Sequence, residues 1–222
     1  NAGFYSSMAI LAIGAEPLYV DVEAETQLID IASLRRVLEQ QRVSAVVVTH
    51  LYGRLADMES IAPLCLGKDI PLIEDCAQAQ GAFLHERAIG SIGDPGCFSF
   101  YPTKNLGALG DAGAVTTNDA AFAARLRALR QYGWEQKYRV GRIGGRNSRL
   151  DEIQAALLSA KLRHLDDWNE ERRSIARRYV EDISHPGIRR LQPYGSDHVA
   201  HLFVLCCEDR DRFRRHMDAN GI

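Results

Sequence analysis

The chain has 222 residues, 46% of them hydrophobic and 25% charged, with a formal net charge of −2. Those values describe an ordinary globular protein and exclude the basic stripe of a nucleic-acid binder or a polybasic membrane anchor. No apolar run is long enough to span a bilayer. The cysteines Cys65, Cys76, Cys97, Cys206 and Cys207 show neither a CxxC pair nor metal-like spacing. A reduced cytoplasmic setting with no metal is therefore expected, with Cys76 and Cys97 as small buried residues.

Residues 17–22 are short and β-rich. Residues 31–38 carry apolar side chains at helical spacing, with Ser33 as a candidate N-cap. The β-branched run at 44–49 is too short for a helix and suits a strand buried on both faces. Residues 58–67 read as a helix closed by Gly67. Residues 71–74 form the next strand and deliver Asp75 at its C-terminal end. Strands alternating with helices imply right-handed βαβ units and a mostly parallel sheet. Ligands of such sheets gather at the carboxyl ends of the strands, where Asp75 and His50 fall.

Two further short strands, 97–100 and 114–117, flank a loop that carries Lys104. Asn118 or Asp119 caps a helix running to about residue 132. Residues 133–147 are rich in Gly, Arg and Tyr, lack periodicity and read as a functional loop. Residues 150–164 and 166–183 are helical, and the arginines of 172–178 fall on a solvated face. Pro186-Gly187 breaks the pattern, residues 201–207 form a strand, and 210–220 a last helix. The change near Pro186 divides the chain into a large domain, 1–184, and the start of a small C-terminal α/β domain, 185–222. The first residue is Asn1 and the last three directly follow a helical pattern, as expected of a fragment.

Four polar residues acquire meaning from their order. Asp75 lies just past a buried strand, where a carboxylate is costly unless paired. A pyridinium N–H is a fitting partner; a helix cap or an ion pair would serve equally well. Gln78 follows three residues later, within reach of the same ligand if the chain turns. Ser99 alternates with Phe98 and Phe100, so its hydroxyl points away from the two rings. Lys104 precedes Gly107, Gly110 and Gly113, which let backbone approach a cofactor. The glycine spacing is not GxGxxG, and the strand–turn–helix context of a dinucleotide loop is missing. Asn147 and Arg149 precede a helix, where Asn147 or Ser148 could be a plain N-cap. Acid, polar residue, serine and lysine in this order meet the requirements of pyridoxal phosphate chemistry. The acid keeps a ring nitrogen protonated, and the lysine holds an aldehyde as an imine and later moves protons.

Residues 73–79, 98–114 and 147–156 closely resemble the pyridoxal-phosphate-dependent nucleotide-sugar aminotransferases of the DegT–StrS group. Residues 14–22, 48–53 and 201–204 match as well. The resemblance implies a fold type I large domain with a mostly parallel mixed sheet, a small C-terminal domain, and a homodimer. Carried over, Lys104 binds pyridoxal 5'-phosphate covalently and is the catalytic residue. Asp75 pairs with the pyridine nitrogen, Gln78 contacts the ring hydroxyl, and Ser99 binds the phosphate. Asn147 reaches the phosphate of the neighbouring subunit's cofactor, and Tyr101 and Arg149 face substrate.

The implied reaction moves an amino group from an amino acid, commonly L-glutamate, to a keto group of a nucleotide-linked deoxy sugar. Residues 105–113 look more like members that aminate C3 than those that aminate C4. The family pattern also has a glycine–threonine turn that cups the phosphate, upstream of residue 1. It places an aromatic ring over the pyridine near Gly3, where the nearest rings are Phe4 and Tyr5. A related dehydratase branch carries histidine in place of the lysine, so Lys104 argues against it. A non-catalytic regulatory relative is the other alternative.

Overall fold

The computed structural model describes residues 2–191 and 195–222. Its first half is helix α1 (Tyr5–Ala12), helix α2 (Ile31–Gln40), strand β1 (Val46–Thr49), helix α3 (Met58–Leu66) and strand β2 (Leu72–Asp75). A two-residue hairpin, β3 (Phe83–Leu84) and β4 (Arg87–Ala88), leads to β5 (Pro95–Ser99) and β6 (Gly113–Thr117). Helix α4 (Ala120–Leu129), the hairpin β7 (Trp134–Gln136) and β8 (Arg139–Val140), and helices α5 (Glu152–Leu162) and α6 (Leu165–Asp182) follow. The chain closes with β9 (Ile188–Arg190), β10 (Leu205–Cys207) and α7 (Arg210–Ala219).

The central sheet has the order β1-β2-β5-β6. Its first two pairings are parallel, with Thr49 opposite Asp75 and Asp75 opposite Cys97. The last is antiparallel, ending with Ser99 opposite Gly113. This is the mostly parallel mixed sheet expected of an α/β protein. The register has a functional consequence. Thr49, Asp75 and Ser99 all terminate at one edge, the carboxyl ends of three neighbouring strands.

Burial explains why the strands sit here. Val46, Val48 and Leu72 pack with Leu34 and Leu38 of α2 and Met58, Ile61 and Cys65 of α3. Each such side chain stabilises the fold by about 1.5–3 kcal/mol on burial. A second cluster of small residues, Cys76, Ala79 and Ala82 with Leu55, Ile89 and Val199, lets the turn after β2 lie close to the sheet.

Strand alternation puts Glu74 on the face opposite Asp75. Glu74 is fully buried and accepts from the backbone N–H groups of Gly90 (3.1 Å), Ile92 (2.8 Å) and Gly93 (2.7 Å), with His50 Nε2 at 3.3 Å. Burial alone would raise its pKa. The His50 bond and the Gly93 and Gly90 amides outweigh that and hold the carboxyl below its usual value. His50 therefore belongs to the fold. Its Nδ1 accepts from Ala56 N–H (3.1 Å), so the ring proton sits on Nε2, directed at Glu74. Neither nitrogen has a free lone pair, so the clustered His50, Glu74 and Cys76 are not suited to hold a metal.

Several expectations need correction. Residues 17–22 form no strand; a single bridge joins Val22 to Ile29. None of the run is buried, and its ordered backbone contacts are turn bonds such as Asp30 N to Asp21 O (2.9 Å), so no ladder forms. The cap of α2 is Asp30, which accepts from Ser33 N (2.6 Å); Ser33 is buried within the first turn. Asp119 caps α4, accepting from Ala121 N and Phe122 N. The span 133–147 contains the β7–β8 hairpin, hidden from periodicity because each strand is so short. The strand expected over 201–207 narrows to β10, which pairs antiparallel with β9. The preceding backbone turns away to bond the 52–53 turn: Val199 N donates to Gly53 O (2.8 Å) and Leu202 N to Tyr52 O (3.2 Å). Cys76 is buried as expected; Cys97 is half-buried, and all the cysteines are free.

Candidate active site

Asp75 is the last residue of β2 and half-buried. One carboxylate oxygen accepts from Ala77 N–H at 3.1 Å. The other faces the hydroxyls of Thr49 (3.3 Å) and Ser6 (3.5 Å). The Ser6 contact brings α1 over the strand end. Phe4 and Tyr5 lie just before it, stacked on each other at 5.4 Å and largely exposed.

Gln78 sits in the turn that follows. Its Oε1 accepts from Tyr52 N–H at 2.6 Å. That bond holds Tyr52 in the left-handed region (φ 62°), a conformation that costs a non-glycine residue energy and is typical of sites under functional constraint. Gly53 follows at φ 91°, and a Cβ there would lie 2.8 Å from His201 N and 3.1 Å from Gln78 O. With Oε1 committed, the Gln78 amide nitrogen is the group left to donate.

Ser99 ends β5, and its Oγ accepts from Tyr101 N–H at 3.3 Å, leaving its own proton to give away. Lys104 is reached by a tight turn, with Lys104 N donating to Tyr101 O at 2.9 Å. Helix α5 pins the rest of the loop. Lys161 Nζ donates to Gly107 O (2.6 Å), and Leu109 N donates to Gln154 Oε1 (2.8 Å). Leu106 and Ala108 pack against Leu158 and Leu165.

Burial lowers the pKa of the Lys104 ammonium below the ordinary lysine value, and the Asp75 carboxylate opposes that shift. Among the described residues no hydrogen bond engages Lys104 Nζ. The result is an amine that loses its proton more readily than a surface lysine and faces an anionic strand end. Tyr101, by contrast, is exposed.

Among the described residues no hydrogen bond joins Asn147 or Arg149 to Lys104. Both are exposed; Arg149 Nε donates to Asn147 Oδ1 (3.0 Å), and the guanidinium lies 5.8 Å from the centre of the Tyr132 ring. Asn147 bridges Gln131 at the end of α4.

Four buried or half-buried residues near the site carry no sequence signal of their own: Gln80, Asn105, Asn169 and His201. The resemblance over 98–114 and 201–204 touched two of them, Asn105 and His201, without giving either a role. His198 and His201 are pushed down to about 3 and about 4, by burial first and then by nearby positive charge. For His198 that charge comes from Arg54 and Arg173, and for His201 from Lys104 and Arg172. Both rings are neutral in the fold and protonate near pH 6.5 when unfolded. The unfolded chain therefore binds more protons between about pH 6.5 and 4, and stability falls as pH is lowered through that window. The urea midpoint is expected to be lower at pH 5 than at pH 7, and an equal midpoint would contradict this assignment.

A half-buried lysine within electrostatic reach of a carboxylate at the strand ends of a mixed α/β sheet is the arrangement expected of the aminotransferase class. The chain belongs to the DegT/DnrJ/EryC1/StrS aminotransferase family, whose model matches residues 2–222. It is 46% identical over 224 residues to dTDP-3-amino-3,6-dideoxy-alpha-D-galactopyranose transaminase of Aneurinibacillus thermoaerophilus, covering 100% of this chain and 61% of that protein. It is 43% identical to the erythromycin biosynthesis sensory transduction protein EryC1 of Saccharopolyspora erythraea, over 97% of this chain and 59% of that protein. Among solved structures, S. venezuelae DesV superposes with a TM-score of 0.94 at 41% identity, covering 100% of this chain and 60% of that one. NtdA from Bacillus subtilis, solved with bound cofactor PMP, gives 0.84 at 29% identity, covering 94% and 48%. The chain thus spans about 60% of the length of the curated relatives it matches.

The residues fit pyridoxal 5'-phosphate by the chemistry of their donor set. A carboxylate suits the protonated ring nitrogen, and a free amide N–H suits the ring oxygen. A serine with an unused proton suits the phosphate, and an amine of lowered pKa suits the aldehyde.

Proposed function

We infer that the protein is a pyridoxal-phosphate-dependent aminotransferase acting on a nucleotide-linked deoxy sugar, with the amino group entering at C3 and L-glutamate as donor. The observation that carries this reading is the placing of Asp75, with Thr49 and Ser99, at the edge where three strands end, within electrostatic reach of the half-buried Lys104. The names of relatives such as the A. thermoaerophilus transaminase support the sugar and the C3 position.

When bound, pyridoxal phosphate supplies an electron sink for the carbanion left by proton loss next to nitrogen. Asp75 holds the proton on the ring nitrogen. Gln78 donates its amide N–H to the ring oxygen, and Ser99 donates its hydroxyl to the phosphate. Lys104 Nζ would hold the group by its aldehyde carbon and, as a free amine, would carry the proton between the two carbons of the exchange. Tyr101 faces substrate beside Lys104, and Arg149, bonded to Asn147, faces substrate in the neighbouring subunit's site. Asn147 and the β7–β8 hairpin reach the neighbouring subunit's site in a homodimer, which accounts for their exposure here.

Residues 1–184 belong to the large cofactor domain and 185–222 begin a smaller one, an assignment supported by the separate β9–β10 sheet with α7 against it. The protein works in the cytoplasm, without nucleic acid or membrane. No helix of the described residues is long and apolar enough to cross a membrane.

The name of the S. erythraea relative favours one other reading, a non-catalytic regulator. The two differ in a simple spectrum. With pyridoxal phosphate added, the complete protein is expected to develop a visible absorbance band that L-glutamate bleaches. A band unmoved by glutamate and other amino acids would support the regulator and contradict the enzyme.

A further inference from the structure

Four polar side chains with no part in the chemistry above form one continuous buried network. Asn105, the residue after Lys104, is buried, and its Nδ2 donates both to Asn169 Oδ1 (2.8 Å) on α6 and to Val199 O (2.9 Å). Because a backbone carbonyl only accepts, this fixes which end of the Asn105 amide is nitrogen. Asn105 Oδ1 is then the acceptor facing His201 Nδ1 at 3.0 Å, so the imidazole proton sits on Nδ1 and Nε2 is bare. Asn169 Nδ2 passes the chain on to Gln80 O (2.9 Å). Gln80 Nε2 in turn donates to Ala77 O (3.1 Å) and Ser99 O (2.5 Å).

Two details show that the network is not incidental filling. A Cβ at Gly81 (φ 82°) would lie 2.6 Å from Asn169 Nδ2, so glycine is needed for the amide to enter. Gln80 Oε1 is buried with no hydrogen-bond partner, a desolvation cost that an apolar side chain would avoid. A buried polar chain that terminates on the backbone of Ser99 at one end and on the neighbour of Lys104 at the other links the two across α6 and residues 198–201.

We propose that Asn105, Asn169, Gln80 and His201 form a positioning network that fixes the direction in which Lys104 and Ser99 present their side chains to the site. None of the four touches the reacting atoms in this assignment. His201 acts through its Nδ1 bond to Asn105, and Gln80 through the Ser99 carbonyl. The proposal rests on the cofactor assignment for its purpose, but its geometry does not.

The test uses the complete protein and two readouts. In the cofactor-free form, the pH dependence of Lys104 acetylation by acetic anhydride, read by peptide mass, reports how far that amine is withdrawn from water. Wild-type Lys104 is expected to titrate below the ordinary value of about 10.4. In His201→Leu, Asn105 loses its donor, the loop loosens and the titration moves up towards that value. Affinity for pyridoxal phosphate, read from the visible band, is expected to fall about tenfold, the loss of one net hydrogen bond. His201→Asn places an amide N–H where Nδ1 was and is expected to restore both readouts.

A His201→Leu labelling curve that overlies the wild type would overturn the proposal. So would a His201→Asn variant as defective as His201→Leu, since that would put the function on Nε2. Should His201→Leu not fold, Gln80→Met removes the Ser99 clamp at similar volume, and an unchanged cofactor affinity there would overturn the proposal equally. A wild-type protein that labels as expected but shows no visible band would contradict the cofactor assignment alone.

Discussion

Lys104→Ala is expected to lose transamination by at least 10²–10⁴-fold, the contribution of a positioned acid/base group, with loss of the covalent cofactor link added. The fold should survive. Lys104 Nζ engages no hydrogen bond among the described residues, and the loop around it is held by Lys161, Gln154 and Asn105. The urea midpoint should stay within the small range typical of a change that removes no buried contact. It should even rise slightly, because a half-buried ammonium of lowered pKa carries a desolvation cost that alanine does not. Turnover retained in this variant would remove Lys104 from the reaction.

The second large effect is expected at Asp75. Asp75→Asn keeps an acceptor for Ala77 N–H and turns its amide N–H towards the Thr49 hydroxyl, which can accept it, but removes the charge. Breaking a partly desolvated ion pair costs about 3 kcal/mol, equivalent to roughly a hundredfold in kcat/KM. A second consequence separates charge from shape. The Asp75 carboxylate raises the pKa of Lys104 against the lowering by burial. In Asp75→Asn only the lowering remains, so Lys104 should titrate still further below the ordinary lysine value. The pH profile of kcat/KM and the labelling curve of Lys104 both read this. Activity within about threefold of wild type, with an unmoved Lys104, would show that the two groups do not share a site.

Much of this was legible in the sequence because strong local signals coincide with the site. The run at 46–49 and the acid after 72–74 are strands whose ends are set by composition, and parallel pairing then brings Thr49, Asp75 and Ser99 to one edge. Lys104 and its glycines lie between two short β-rich runs, which become β5 and β6.

What escaped the sequence shares a physical cause: it depends on contacts between residues far apart in the chain. Glu74 reads like Asp75 until the pleat turns it to the other face, where three loop amides receive it. His50 falls at a strand end like a ligand, yet both its nitrogens are spent on Ala56 and Glu74. Residues 17–22 have the composition of a strand but only one bridge, Val22 to Ile29, among the described residues. Asn105, Asn169 and His201 are ordinary polar residues separated by 64 and 96 positions from the partners that give them a role. No local pattern encodes such a meeting.

The central claim is that one amine and one carboxylate, Lys104 and Asp75, hold the same cofactor. Borohydride reduction of the complete protein with pyridoxal phosphate, followed by peptide mapping, tests it most directly. The account predicts a single pyridoxyl adduct, on Lys104, in the wild type and a much weaker one in Asp75→Asn. An adduct found instead on Lys68, Lys137 or Lys161, or one on Lys104 that forms equally well without the Asp75 carboxylate, would contradict it.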